Sequence, residues 1–193
     1  MFYDKVFDSL LKGARMKICE IADIKKQDKI LDVCCGTGAQ ASLFSKKSDF
    51  VYAIDLDQRM IEFALKRKNK VSFGVAYAEY LPFPSDFFDI VSISLALHEK
   101  DEQLRKAVVS EIKRVVKKNG KIIIVDYNMP LSFSFLIKTI ERLAGEHHFR
   151  CFNNYLLKGG LETILKENNL EISASASAVG GIIKIIKIKK HES

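Results

Sequence analysis

The chain has 193 residues, of which 48% are hydrophobic and 28% are charged, and its formal net charge is +7. These values favour a single domain over 1–193 with a substantial core, and they exclude an intrinsically disordered chain. No apolar run approaches the roughly 20 residues that span a bilayer, and the segment "MFYDKVFDSLLKGARMK" is charged too often for a secretory signal, so we expect a cytoplasmic protein.

The first half of the chain alternates helical and strand patterns. Apolar residues at helical spacing predict an amphipathic N-terminal helix over 3–22. The patterns after it predict, in chain order, a strand over 29–35, a helix over 39–47, a strand over 50–55, a helix over 57–68 with Asp57 as its N-cap, and a strand over 71–76.

The second half continues the alternation and then changes character. A strand over 87–97 precedes an amphipathic helix over 101–118. We expect this helix to end at Asn119-Gly120, which would form a left-handed C-cap. A buried strand over 121–127 comes next, and residues 128–168 are predicted to be mainly helical. The tail predicts two strands, over 170–179 and 182–189, joined by a tight turn at Gly180-Gly181.

This order of elements predicts the fold class. Strands that alternate with helices and are apolar on both faces form parallel sheets covered by helices. The two C-terminal strands follow each other through a tight turn, so they pair antiparallel. We therefore expect an α/β fold: a doubly wound, Rossmann-like, seven-stranded sheet, mostly parallel with an antiparallel C-terminal hairpin and helices on both faces.

A glycine-rich turn follows the first strand. The stretch Gly36-Thr37-Gly38-Ala39-Gln40-Ala41 fits the G-x-G-x-x-G/A pattern between a strand and a helix, the context of a nucleotide-binding turn. Asp32 lies inside the strand, where it disfavours an anionic pyrophosphate and favours a ligand with an ammonium group. Asp55 closes the second strand, where a carboxylate accepts both ribose hydroxyls of an adenosine. The alternative for Asp55 is a helix-capping acid for 57–68.

Four stretches in this order resemble one family. They are "ILDVCCGTG", "VYAIDLDQRMIEFA", "AYAEYLPFPSDFFDIVSISLALHE" and "RVVKKNGKIIIVD". They resemble the motifs of class I S-adenosylmethionine-dependent methyltransferases, and the C-terminal hairpin resembles the last two strands of that family. The stretch "ERLAGEHHFRCFNNYLLKGGLETILKENNLE" is similar to the helical insert of the menaquinone/ubiquinone-biosynthesis type of these small-molecule methyltransferases.

The resemblance implies S-adenosyl-L-methionine as the cofactor and assigns residues to it. The methionine part would lie over the glycine turn, with its ammonium end at Asp32, the ribose at Asp55 and the transferable methyl near Leu95. Leu56 and Met60 would contact the adenine. The full implied set of cofactor-binding residues is Asp32, Gly36, Thr37, Gly38, Asp55, Leu56, Met60, Ala78, Glu79 and Leu95.

The chain departs from the family pattern at two positions. The family usually has glycine where Cys34 stands, so we expect a backbone without a positive φ there. The adenine loop commonly begins with aspartate, whereas this chain reads Tyr77-Ala78-Glu79. Either the adenine relies on backbone amides around Ala78 and on stacking, or Tyr77 itself faces the ligand.

Histidines are the candidates for acid–base or metal chemistry. His98 follows the fourth strand at the ligand-binding edge, so it is either a general base or a histidine that packs or caps the helix near Asp101. Adjacent histidines on a helix diverge by about 100°, so His147 and His148 do not form an i, i+4 chelating pair. We predict no metal site and favour a surface or pocket-rim position for both.

The acceptor is expected to be a small hydrophobic or aromatic molecule, quinone-like or lipid-like. The segment over 131–143, inside a predicted helical substrate cap over 128–168, is apolar on much of its circumference, although simple packing onto the sheet is the alternative. The N-terminal helix within 1–24 is predicted to act as a lid. The cysteines Cys34, Cys35 and Cys151 are interpreted as packing residues rather than as ligands for a thiophilic acceptor such as arsenite.

Other functions stay open at this point. The positive charge could suit binding to nucleic acid or peripheral contact with an anionic membrane. The alternative is that the lysines only solvate the face of a helix and an edge strand. An RNA or protein methyltransferase is the main alternative, although the Asn/Asp-Pro-Pro-Tyr motif is absent and nucleic acid is therefore disfavoured. An NAD-dependent oxidoreductase and a non-catalytic S-adenosylmethionine binder are further alternatives.

Overall fold

A computed structural model describes residues 2–67, 69–128, 142 and 145–190, with side chains from residue 11 onward. Its helices and strands lie close to the predicted ones. In chain order they are α1 (Phe2–Ala22), β1 (Lys29–Val33), α2 (Ala39–Phe44), β2 (Phe50–Asp55), α3 (Gln58–Leu65), β3 (Val71–Val75), β4 (Phe88–Ser94), α4 (Glu102–Val115), β5 (Val116–Tyr127), α5 (Glu146–Leu157), α6 (Gly160–Glu167), β6 (Ile172–Ala178) and β7 (Ile183–Lys189).

Within the described residues the strands form one seven-stranded sheet in the order β3-β2-β1-β4-β5-β7-β6. Strands β1 to β5 pair parallel, whereas β7 pairs antiparallel with both β5 and β6. The predicted fold class is confirmed. The chain runs outward from β1 to β3 on one side and restarts at β4 on the other, so a crevice opens where β1 and β4 diverge. Ligands of open α/β sheets bind at such a switch point.

The core lies on both faces of the central strands. Ile30, Leu31, Ile90 and Val91 in β1 and β4 are fully buried, because parallel strands are covered by helices on each face. At the other edge, β6 reads "ISASASA" and is exposed at alternate residues. β6 is an edge strand, since within the described residues it pairs with β7 alone. Among the described helices, none is long and apolar enough to cross a bilayer.

The fourth helix ends earlier than the sequence predicts. It ends at Val115, and Val116 begins β5, since both valines are fully buried against the sheet and β-branched residues fit a strand. Asn119 does have a left-handed backbone, with φ of 62°, but it lies inside β5 rather than capping α4. The β4–β5 register shifts there, from Phe88 opposite Val116 to Ile90 opposite Lys121. The Asn119-Gly120 pair therefore forms a bulge in the strand.

Two lysines of the basic segments, Lys121 and Lys190, are used inside the fold. The ammonium of Lys121 bonds to the carbonyl oxygens of Ala22 and Asp23, and that of Lys190 bonds to the carbonyls of Lys113 and Val116. These contacts tie β5 and the end of β7 to neighbouring helices and strands. The charges of these two lysines are therefore used in contacts within the fold and are not available to bind a polyanion.

The predicted substrate cap is described only in its second half. Helices α5 and α6 form two helical segments of the 128–168 insert, as expected. The apolar segment over 131–143, apart from Arg142, lies outside the described residues, as do the side chains of Phe2, Tyr3 and Phe7 at the start of α1. Within the described part of α1, Leu11, Ala14 and Ile18 line the cavity found at the carboxyl edge of the sheet.

Candidate functional site

A cavity of about 540 Å³ lies at the carboxyl edge of β1, β2 and β4. Six of the residues that the resemblance implies line it: Asp32, Gly36, Thr37, Asp55, Leu56 and Leu95. Gly38, Met60, Ala78, Glu79 and His98 are not among its described lining residues. The fold therefore brings the two strand-end acids and the first part of the glycine turn together, as expected.

Asp55 is held rigidly at the floor of the cavity. Its Oδ2 accepts the amide hydrogen of Gly36 at 2.8 Å, and its Oδ1 accepts that of Asp57 at 2.9 Å. The cap of α3 is Asp57, whose side chain accepts from the amide of Arg59. Asp57 rather than Asp55 therefore caps α3. The Asp55 carboxylate retains acceptor capacity for a ligand's hydroxyls, because each oxygen has two lone pairs.

The two glycines of the turn serve different purposes. Gly36 has φ of 52°, and a side chain there would meet nothing within 4 Å. Gly38 has φ of 72°, and a Cβ there would lie 2.7 Å from the Phe73 ring and 2.9 Å from the Cβ of Ala64. Gly38 is therefore required by the packing of α2 against α3 and β3, while Gly36 leaves open space beside the cavity.

The backbone at Cys34 contradicts the sequence-based expectation. Its φ is 56°, in the left-handed region that a residue with a side chain adopts at a cost of roughly 1–2 kcal/mol. The following residue is fixed by a bond from the Cys35 amide to the carbonyl of Ile54 at 2.9 Å. The parallel register of β1 on β2 and the Gly36–Asp55 bond thus impose this conformation. A glycine in the family pattern fits the same geometry.

The cysteines beside the turn are poor nucleophiles. Burial raises the pKa of the Cys34 thiol to about 12 and raises that of Cys35 further. Since the thiolate is the reactive and metal-binding form, both side chains remain neutral thiols at physiological pH. Cys151 lies on α5 and is not among the lining residues of the cavity. The arrangement supports packing rather than a thiophilic acceptor.

Asp32 is a buried carboxylate that lacks a full set of partners. It is 2% exposed, and its Oδ2 has no hydrogen-bond partner among the described residues. Burial raises its pKa to about 7, against the smaller opposing effects of the Ala41 amide, the Ser92 hydroxyl and the Arg15 charge. A buried polar atom without a partner is unfavourable. A cationic group in the cavity would supply that partner and favour the ionised form.

The loop that follows β4 is held by Asp126, a residue that the sequence analysis did not single out. Asp126 is fully buried in β5. Its Oδ2 accepts the amides of Leu97 and His98 at 3.0 and 3.2 Å, and its Oδ1 accepts the amide of Tyr127 at 2.8 Å and faces Nδ1 of His98 at 2.6 Å. The available signal was an acid in the apolar run "KIIIVDY", the same signal that identified Asp32.

His98 lies in an aromatic layer behind the cavity wall. Its ring packs edge-on against Tyr127, Phe152 and Tyr155, with centroid distances of 4.7, 5.8 and 6.3 Å. Its neighbour Glu99 is the residue of this pair that lines the cavity. His98 therefore packs within this layer, and both the packing-only interpretation and the general-base role stay predictions.

The adenine-loop residues lie beside the end of β2. The amide of Ala76 donates to the carbonyl of Asp55 at 3.1 Å, which places the loop next to Asp55. Ala78 is buried, whereas Tyr77 is 56% exposed. Met60, one turn into α3, is half-buried. The predicted adenine contacts of Met60, Ala78 and Glu79 stay predictions.

The adjacent histidines of α5 diverge, as predicted from helix geometry. Nδ1 of His147 lies 3.9 Å from Sγ of Cys151 on the same helix, whereas Nδ1 of His148 lies 3.7 Å from Oε2 of Glu99. The structure also brings His148 next to His98, with ring centroids 5.7 Å apart. No sequence pattern indicates this contact between α5 and the loop after β4.

Comparison with known proteins identifies several similar chains. Residues 31–124 match the family described as "Methyltransferase domain". The chain is 30% identical over 152 residues to the demethylmenaquinone methyltransferase of Lactobacillus johnsonii, covering 74% of this chain and only 59% of that protein. It is 26% identical over 178 residues to the demethylmenaquinone methyltransferase of Thermotoga maritima, covering 82% and 77%. The YcgJ protein of Bacillus subtilis shares the fold, with a TM-score of 0.72, 19% identity and coverage of 94% and 100%.

Proposed function

Residues 31–124 belong to the class I S-adenosylmethionine-dependent methyltransferases, and from this premise we propose that the protein transfers a methyl group from S-adenosylmethionine to a small, hydrophobic or aromatic acceptor. One observation carries the proposal: the Asp55 carboxylate, fixed by the amides of Gly36 and Asp57, faces the same cavity as the buried carboxylate of Asp32. One acid suits a ribose and the other suits an ammonium group.

The cavity residues fit this cofactor. Asp55 would accept the ribose hydroxyls, because its carboxylate is an acceptor of fixed orientation. Asp32 would bind the ammonium end, because the oxygen that lacks a partner among the described residues requires a donor. Leu56, which is 56% exposed, would cover the adenosine. The open space at Gly36 would admit the methionine part close to the backbone.

The chain's part in the reaction is positioning. S-adenosylmethionine supplies a methyl group that is already activated by its sulfonium sulfur. The loop over 95–98, anchored by Asp126, would hold the acceptor side of the cavity in a fixed geometry. Leu11, Ala14 and Ile18 of α1 line it and would exclude water from it, which is the lid role predicted for this helix. A proton acceptor is needed only when the methylated atom must lose a proton, and His98 remains the predicted candidate.

A quinone-like or lipid-like acceptor is the proposed substrate class. Two relatives of this chain are named demethylmenaquinone methyltransferases. The cavity itself is lined by apolar side chains, among them Leu11, Ile18 and Leu95, which would contact such an acceptor. The proposed setting is the cytoplasm, since all four cysteines are free thiols. A peripheral membrane contact stays a prediction.

Cofactor binding is the first test. Calorimetric titration with S-adenosylhomocysteine should show one site, and Asp55→Asn should weaken binding at least tenfold. Asp49→Asn is the matched control, because Asp49 lies just before the other end of β2 and is exposed. NADH should not compete. Failure of S-adenosylhomocysteine to bind, or displacement by NADH, would contradict the proposed cofactor.

Methyl transfer is the second test. The protein is incubated with methyl-labelled S-adenosylmethionine and a boiled host-cell extract, and the organic, aqueous and macromolecular phases are separated. Enzyme-dependent label in the organic phase would support the proposed acceptor class. Label confined to macromolecules would contradict it in favour of an RNA or protein acceptor. Binding without any enzyme-dependent product would favour a non-catalytic cofactor-binding protein.

A further inference from the structure

Three potential metal ligands meet at the cavity wall. His98 and Glu99 come from the loop after β4, and His148 comes from the first turn of α5. One ring nitrogen from each histidine and one carboxylate oxygen of Glu99 all lie within 4.8 Å of one another. His98 is buried and the other two are half-buried, so the cluster lies between the aromatic layer and the cavity.

The ring of His98 is already oriented for such a role. The Asp126 carboxylate also accepts three backbone amides, so it acts as an acceptor and Nδ1 of His98 is the donor of their 2.6 Å bond. With the imidazole neutral, this bond would leave the ring lone pair on Nε2. Metal-binding histidines commonly donate their other ring nitrogen to a carboxylate in this way, which orients the ring and increases its basicity.

The side chains of Glu99 and His148, the two half-buried ligands, are also directed toward the other members of the cluster. Oε1 of Glu99 is engaged by the ammonium of Lys100 at 3.2 Å, whereas Oε2 is directed to Nδ1 of His148 at 3.7 Å. Because Lys100 binds Oε1, the Glu99 carboxylate is held with Oε2 toward the two histidines. Tetrahedral zinc holds its ligand atoms at roughly 2.0–2.2 Å, so the three atoms must approach one another by about 1 Å. Rotation of the half-exposed Glu99 and His148 side chains supplies that movement.

We propose that His98, Glu99 and His148 bind one divalent transition-metal ion, with Zn²⁺ as the expected species. Two imidazoles and one carboxylate suit zinc better than Mg²⁺ or Ca²⁺, which prefer all-oxygen sites. Three protein ligands leave one coordination position open, and Glu99 places it at the cavity. That position would take a hydroxyl or carbonyl oxygen of the acceptor, a use that rests on the proposed function, whereas ion binding itself does not.

This site and the general-base role of His98 exclude each other. A base needs the lone pair on Nε2, and so does a metal ion. The competing structural explanation is a Glu99–His148 ion pair that holds α5 against the β4 loop without any metal. A measurement of metal binding decides between these possibilities.

The experiment uses the full chain, freed of metal with a chelator and titrated with Co²⁺, whose visible absorption reports the coordination, and then with Zn²⁺ in competition. We expect one Co²⁺ per chain, displaced by Zn²⁺. His148→Ala should weaken binding at least tenfold. His147→Ala is the matched control, since it removes the adjacent histidine that points to Cys151, and it should leave affinity unchanged within twofold. Thermal unfolding of each variant checks that it is folded.

Two results would overturn the site. The first is the absence of a Co²⁺ absorption band at millimolar metal, which would leave the ion pair as the explanation. The second is an equal or larger loss with His147→Ala, which would place any metal at His147 and Cys151. Binding of S-adenosylhomocysteine is measured on the same samples. It should survive His148→Ala, so failure of the metal site and failure of the proposed cofactor are told apart.

Discussion

Oδ1 of Asp126 lies 2.6 Å from Nδ1 of His98, and the same carboxylate accepts the backbone amides of Leu97, His98 and Tyr127. The two residues are 28 positions apart in the chain and lie at the ends of neighbouring strands. The contact joins β5 to the loop after β4, which lines the cavity. A fully buried carboxylate thus positions this loop, and its four bonds offset the unfavourable burial of the charge.

Asp126→Asn should destabilise the protein by about 3 kcal/mol, because an amide nitrogen would face at least one backbone N–H and leave buried donors without a partner. The free energy of unfolding in urea is the measurement. Asp101→Asn is the control: Asp101 caps α4 from an exposed position, and asparagine is an equally good N-cap. Equal stability of the two variants would show that the Asp126 network is dispensable.

The raised pKa of Asp32 predicts a specific pH dependence of stability. Folding raises this pKa from 3.8 to about 7, so the folded state retains a proton that the unfolded state releases. The free energy of unfolding should therefore fall as pH rises from about 4 to about 7 and then level off, by about 4 kcal/mol at most. The difference between wild type and Asp32→Asn, measured in urea across this range, isolates the effect. A difference that is independent of pH would contradict it.

The two glycines of the turn should respond differently to alanine. Gly38→Ala places a methyl group 2.7 Å from the Phe73 ring at a positive φ, so we expect a loss of about 3 kcal/mol in the free energy of unfolding. A Cβ at Gly36 would meet open space, so Gly36→Ala should lower the free energy of unfolding by only about 1 kcal/mol, the cost of its positive φ. It should instead weaken S-adenosylhomocysteine binding in calorimetry. A larger loss of stability for Gly36→Ala than for Gly38→Ala would refute this assignment.

Cys34→Gly should stabilise the protein, or leave it unchanged, although it removes a side chain. The φ of 56° is strained for cysteine and relaxed for glycine, a difference of about 1 kcal/mol that offsets the lost packing of a half-buried thiol. Cys35→Gly is the matched control, because the adjacent Cys35 has no positive φ and gains nothing from glycine. The melting temperatures should rank Cys34→Gly above Cys35→Gly, and the reverse order would show that the strain is absent.

Local sequence patterns determined the outline of this protein. Continuous apolar runs marked the buried strands, helical spacing marked the helices between them, and the glycine turn with Asp32 and Asp55 marked the ligand edge. These features could be predicted because each depends on residues close in the chain, or on the rule that carboxyl ends of parallel strands meet at one edge. The same local reasoning placed the end of α4 too late, since burial of Val115 and Val116 against the sheet overrides helix propensity.

Only the tertiary structure decided how distant residues meet. The bond between Asp126 and His98, the approach of His148 to Glu99 and the positive φ of Cys34 depend on strand register and on where α5 docks. A sequence pattern carries the periodicity of one element but not the packing distance between two. For this reason the chain alone predicted the ligand edge of the sheet, while the residues that hold the loop after β4 emerged only when the elements were packed together.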